Sequence, residues 1–89
     1  MAQPNISIIM PVYNAQQTLQ RAVQSILSQS MPEFELLLVD DGSTDASAEM
    51  ENTLARLDAR VRVYRRQNGG ICAARNYGLA HAAGQYITF

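Results

Sequence analysis

Short apolar runs alternate with amphipathic stretches along the whole chain. Residues 6–10 read Ile-Ser-Ile-Ile-Met. They are β-branched and nearly continuously apolar, the pattern of a strand buried on both faces. Pro11 is expected to stop its ladder. Asn14 then has the chemistry of a helix N-cap, with Gln17 three residues on as in a capping box. Leu19, Ala22, Val23, Ile26 and Leu27 follow at helical spacing, with Gln16, Gln20, Gln24 and Ser28 on the other face. This predicts a helix over 15–29, ended before Pro32. Residues 35–40 carry Leu-Leu-Leu-Val, a second buried strand, and 41–45 (Asp-Gly-Ser-Thr-Asp) form a turn with capping residues. A second helix over 46–57 places Met50, Leu54 and Leu57 on one face. Residues 61–65 alternate and predict a strand with one more exposed face. A loop over 67–70 leads to an Ala-rich helix over 71–82, closed by Gly84, and 86–89 open a fourth strand. The order βαβαβαβ implies a parallel sheet with right-handed crossovers, a Rossmann-like α/β fold.

Composition narrows the setting. Eighty-nine residues hold one small domain at most. With 47% hydrophobic and 17% charged residues, the chain is globular rather than disordered. Net charge is −1, and the seven cations are all Arg, in no basic stripe, which argues against a nucleic-acid surface. A single cysteine, Cys72, makes no internal disulfide and suits a reducing compartment. No apolar run approaches the roughly 20 residues of a membrane span, and the N-terminus has no secretory pattern. A cytoplasmic setting is expected.

In a parallel sheet the loops after the strands converge on one edge, where ligands bind. Here those loops carry residues 11–14, then Asp40-Asp41-Gly42-Ser43, then residues 66–70. Arg75 lies early in the third helix, and helical side chains tilt toward the helix N-terminus, so its guanidinium belongs to the same edge. Tyr13, Asp40, Asp41 and Arg75 together offer a stacking ring, acceptors and a cation, a set suited to a nucleotide. The first turn has no glycine, so the dinucleotide fingerprint fails at its most specific feature. A P-loop is absent too. Each residue also has a plainer reading. Tyr13 serves equally as a half-buried anchor, Asp41 and Asp45 as turn and cap residues, Arg75 as a surface ion pair, and Gly69-Gly70 as a simple turn. Cys72 reads as packing, and His81 as a helix-end dipole partner or a solvent-exposed side chain. Asp40 is harder to assign to structure alone, because a carboxylate ending an apolar strand needs a partner. No Ser-His-Asp set, metal-ligand cluster or Cys-His pair occurs.

Three spaced motifs carry a resemblance. Ile8-Ile9-Met10-Pro11-Val12-Tyr13-Asn14, Leu38-Val39-Asp40-Asp41-Gly42-Ser43-Thr44-Asp45, and Asn68-Gly69-Gly70 with Ala74-Arg75-Asn76-Tyr77-Gly78 resemble family 2 glycosyltransferases of the GT-A fold. The closing residues 84–89 are similar to the strand that leads into that family's Asp-x-Asp motif. The resemblance implies an inverting transferase that moves a sugar from a nucleotide-sugar donor, most commonly a UDP-sugar, to a glycan or lipid acceptor. It implies that Pro11 and Tyr13 flank the base, that Asp40 accepts a hydrogen bond from it, that Asp41 supports the loop or the ribose, and that Arg75 faces the nucleotide. A divalent metal, Mg2+ or Mn2+, is implied for the full-length enzyme.

The chain is therefore expected to be the N-terminal part, residues 1–89, of a single GT-A domain. It would stop just before the Asp-x-Asp motif, and neither metal ligands nor a catalytic base would lie within it. It would hold the nucleotide-binding half and be inactive alone. Bacterial cell-envelope polysaccharide synthesis is the implied setting, in the cytoplasm or at the cytosolic face of the membrane. The competing reading is a non-catalytic nucleotide-binding or assembly module. The strand order 3-2-1-4 that the resemblance implies would leave the fourth strand at an open edge, which invites homo-oligomers.

Overall fold

The computed structural model describes residues 6–28, 33–67, 69–82 and 86–88, with the side chains of 71–72 and 86–88 left aside. Strands β1 (Ile6–Val12), β2 (Phe34–Asp40), β3 (Val61–Arg65) and β4 (Tyr86–Thr88) alternate with helices α1 (Leu19–Leu27), α2 (Ser47–Leu57) and α3 (Ile71–His81). The strands form one parallel sheet in the order β3-β2-β1-β4. Both the βαβαβαβ order and the 3-2-1-4 arrangement agree with the reading from sequence.

Strand β2 explains why its residues are so apolar. It has a strand on each side and helices on each face, and all of Phe34–Asp40 is buried. Alternation along the strands sorts the side chains between the two faces. Ile8, Val12, Phe34, Leu36 and Leu38 pack with Leu19 and Val23 of α1 and Leu54 of α2. Ile9 and Val39 pack with Ala74 and Tyr77 of α3 on the opposite face. Each fully buried leucine here contributes about 1.5–3 kcal/mol. By the same alternation Asp40 continues the row of Leu36 and Leu38 toward α2, and Asp41 continues the row of Val39 toward α3.

Gly78 lets α3 lie close to the sheet: a Cβ there would fall 2.6 Å from Cγ2 of Ile9. A polar cluster around Glu35 lies within the buried layer. The Ser7 hydroxyl donates to Oε2 of Glu35 at 2.6 Å, and Arg62 Nη1 lies 2.8 Å from Oε1 of the same carboxylate. That pairing satisfies a carboxylate that β2 buries.

Four expectations are corrected. Pro11 does not end the first strand, since it pairs with Val39 inside β1. Val12 turns its carbonyl toward the β2 side, where it accepts the Asp41 amide. The nitrogen of Pro11 therefore faces the β4 side, beyond the Ile6–Ile8 stretch that β4 pairs, so no described ladder bond is lost. Helix α1 begins at Leu19 rather than residue 15, after a turn. Asn14 is not its cap: it adopts φ 48° and sends its side chain to another loop. Helix α2 buries Ser47, Glu51 and Leu54, while Leu57 is 78% exposed. His81 lies in the last turn of α3 and is exposed, as expected, and its ring also stacks on Tyr64 at 4.3 Å and packs near Tyr77 at 4.7 Å. Gln29, Pro32, Asn68, Gly84, Phe89 and the side chain of Cys72 lie outside the described residues.

Candidate functional site

The C-terminal ends of β1, β2 and β3 share one sheet edge, and backbone bonds draw the loops beyond them together. The Asp41 amide donates to the Val12 carbonyl at 2.8 Å, and the Arg66 amide donates to the Asp40 carbonyl at 3.0 Å. The Asp41 carboxylate then bridges to the third loop. Its Oδ1 accepts the Gly69 amide at 3.0 Å and its Oδ2 accepts the Gly70 amide at 2.9 Å. Arg66 Nε stands 3.4 Å from the same carboxylate, and Arg66 Nη1 donates to the Ala73 carbonyl at 2.8 Å. Gly70 takes φ 90°, a conformation that L side chains rarely adopt, and so presents its amide while starting α3.

The first and second loops are stitched by reciprocal bonds. Asn14 Oδ1 accepts the amides of Thr44 at 2.8 Å and Asp45 at 3.3 Å, and Ser43 Oγ accepts the Asn14 amide at 2.9 Å. Gln16 Oε1 accepts the Ala46 amide, Asp45 Oδ2 accepts the Gln16 amide, and buried Ser47 Oγ accepts the Ala15 amide. Bonding to Ser47, and to the backbone amides of Ser47 and Gln16, holds the Asp45 carboxyl below the usual carboxylate range. Side chains of the second loop and α2 thus satisfy the amides of residues 14–16, which have no intrahelical acceptor.

Of the residues singled out from sequence, Tyr13 stands in the first loop and is 51% exposed. Pro11 is partly buried as the penultimate residue of β1, and Arg75 is exposed in the second turn of α3. Asp41 is buried and ties the second loop to the third. Asp40 is 1% exposed, with Oδ1 accepting the Ser43 amide at 2.7 Å. Its Oδ2 has no hydrogen-bond partner among the described residues, and neither has either carboxyl oxygen of Glu51 in α2, which is fully buried. Burial, together with the neighbouring Asp40 carboxyl, pushes the Glu51 pKa up to about 8; Arg65, 3.7 Å away, pulls it down by less. The sequence reading did not single out Glu51 or Arg66. The signal available for Glu51 was its spacing from Ser47 and Leu54, which puts it on the helix face under Asp40.

Among the described residues, no group of three or more His, Cys, Asp or Glu could hold a metal ion. No described helix is long and apolar enough to cross a membrane.

These features define a parallel α/β domain whose loops assemble a site at the C-terminal edge of the sheet. The family description "Glycosyl transferase family 2" matches residues 7–89, and the chain belongs to that family. It is 51% identical over 90 residues to an uncharacterized glycosyltransferase of Haemophilus influenzae, covering 100% of this chain and 36% of the relative. It is 39% identical over 88 residues to the putative teichuronic acid biosynthesis glycosyltransferase TuaG of Bacillus subtilis, covering 98% of this chain and 35% of TuaG. The structure superposes on S. aureus TarS 1–349 in complex with UDP-GlcNAc with a TM-score of 0.85 at 31% identity, covering 93% of this chain and 25% of that one. The chain spans about a third or less of the length of these proteins. Its α/β arrangement is that of GT-A glycosyltransferases.

Proposed function

We propose that this chain forms the nucleotide-binding half of an inverting glycosyltransferase that takes a UDP-sugar as donor and a glycan or lipid as acceptor in cell-envelope polysaccharide synthesis. The observation that carries the reading is the joining of three post-strand loops at one sheet edge, the first of which carries half-exposed Tyr13. Such an edge is where open α/β sheets take ligands. The match to a UDP-GlcNAc complex at 31% identity supports the donor class.

In this reading Tyr13 stacks on the base, Pro11 closes the other side of the first loop, and Arg75 supplies positive charge toward the donor. Asp41 holds the loop of Gly69 and Gly70 against the base and ribose. Asp40 is buried and turned toward α2, so we assign it to support of this edge from below rather than to direct contact with the base. In the transfer an acceptor hydroxyl attacks the anomeric carbon while the nucleoside diphosphate leaves. That step needs a carboxylate base, which we assign to no residue of this chain. Metal ligands are likewise assigned to no described residue of this chain. We further propose that the chain acts at the cytosolic side of the membrane, that residues 1–89 are part of a longer GT-A domain, and that β4 offers an edge for self-association.

The test is UDP binding by the whole protein, measured calorimetrically for wild type and Tyr13→Ala. Stacking on an aromatic ring contributes about 1–3 kcal/mol per base. The variant should therefore weaken UDP binding by about fivefold or more while leaving the unfolding midpoint nearly unchanged. Equal affinity for both proteins would return Tyr13 to the role of a surface anchor and remove the main support for this site.

A further inference from the structure

Beneath the site two acids meet without a described donor between them. Oδ2 of Asp40 and both carboxyl oxygens of Glu51 are buried, and none has a hydrogen-bond partner among the described residues. Asp40 is 1% exposed and Glu51 fully buried. Two ionised carboxylates are acceptors only, and they repel. A single proton changes this, because the protonated acid then donates and the other accepts. The remaining charged groups facing Glu51 are Arg65 from β3 and Asp45 from the loop before α2. Arg65 is at ion-pair distance from Glu51 but beyond hydrogen-bonding reach. Its Nη2 donates to the Ala48 carbonyl at 2.8 Å and to Asn52 Oδ1 at 3.0 Å, and stays 3.7 Å from Glu51.

We propose that Glu51 is a positioning residue for the nucleotide edge: its carboxyl group holds a proton directed at Oδ2 of Asp40, and this shared proton fixes the turn that carries Asp41 and Ser43. The chain of contacts is short. Glu51 orients Asp40, Oδ1 of Asp40 accepts the Ser43 amide, Ser43 Oγ accepts the Asn14 amide, and Asn14 follows Tyr13. The elevated proton affinity of Glu51 agrees with this arrangement. The functional part of the proposal rests on the nucleotide-site reading above; the shared proton itself does not.

Two readouts test it on the whole protein. The first needs no ligand: carboxyl 13C shifts of Glu51 and Asp40 are followed by NMR from about pH 4 to about pH 9.5, with the Ser43 amide observed in the same titration. The Glu51 carboxyl should lose its proton well above the ordinary carboxylate range, and the Ser43 amide shift should follow the same midpoint. Glu51 titrating in the ordinary range, or a Ser43 amide that ignores the transition, overturns the proposal. The second readout is UDP affinity between about pH 6.5 and about pH 8.5. Wild type should weaken as pH rises. Glu51→Gln keeps a donor and should bind within about twofold of wild type at the lower pH, with a flat profile. Glu51→Ala leaves Asp40 unpartnered and should bind about fivefold more weakly or worse. A Gln variant as weak as the Ala variant also overturns the proposal. Should Tyr13→Ala leave UDP affinity unchanged, it is the site reading that fails, and the NMR titration still decides whether Glu51 positions the turn.

Discussion

At the scale of single residues, the buried acid in α2 links site geometry to stability. A fully buried Glu51 whose pKa rises from 4.5 to about 8 binds its proton more tightly when folded than when unfolded. Between those values the unfolded chain has released that proton and the folded chain has kept it. The stability that Glu51 contributes is therefore fully present below about pH 4.5, falls as pH rises toward about 8, and has nothing further to lose above it, with a slope of at most about 1.4 kcal/mol per pH unit. Asp45 and Asp58 do not mask the trend. Bonding to Ser47 lowers the first and bonding to Arg60 the second, so both stay ionised in either state across this window. Urea unfolding at several pH values should show the decline in wild type, and Glu51→Gln should flatten it. An identical slope in both proteins would assign the pH dependence elsewhere. Glu51 was hard to read from sequence, because glutamate on a helix is ordinarily a solvent-facing residue. Its partner lies across a β-to-α turn, and only the fold brings the two together. Asp41 was easier, since a carboxylate just past a strand already belongs to the sheet edge.

At the scale of elements, legibility follows burial. Strands β1 and β2 lie between two helical layers and so read as unbroken apolar runs, while their order in the sheet was implied by the family resemblance rather than by the pattern. Helix starts were less visible, because they depend on which amide a side chain serves. Asn14 has the chemistry of an N-cap, yet its Oδ1 serves Thr44 and Asp45, so α1 begins later. The face of α2 was misjudged for a related reason: periodicity weighed Leu57 above Glu51, and the structure buries the acid. The docking of α3 depends on a contact that sequence pattern does not show. Gly78 lies over Ile9, which is fully buried and has no room to retreat from an added Cβ at 2.6 Å. Gly78→Ala gains about 1 kcal/mol in helix propensity but overpacks the interface by about 1–3 kcal/mol. We expect a net loss of stability, read as a lower urea midpoint with an unchanged m-value. A midpoint equal to or above wild type would mean that α3 can move away from β1 without loss.

At the scale of the molecule, the two edges of the sheet differ in protection. Edge strand β3 carries Arg62 and Arg65 as exposed cations, and the Arg62 side chain crosses over the Tyr64 ring. Charged side chains along an edge discourage pairing with another chain. The β4 edge is a three-residue strand whose described pairing is to β1 alone. Its outward backbone groups are the simplest place for a second copy to add. The 89-residue chain at high micromolar concentration should therefore sediment as dimers or larger species. A longer chain that continued the sheet beyond β4 would cover this edge and should sediment as a monomer at the same concentration. Self-association through β3 is not expected, because Arg62 and Arg65 place a cation on each face of that edge. Charge reversal at Arg62 should therefore leave the sedimentation profile of the short chain unchanged, although it also removes an ion pair with Glu35 at 2.8 Å and lowers stability. A purely monomeric short chain would mean that three residues of open strand are too few to template a partner. The sheet edge would then have no part in assembly, and the role of this chain would rest on its loop-built site alone.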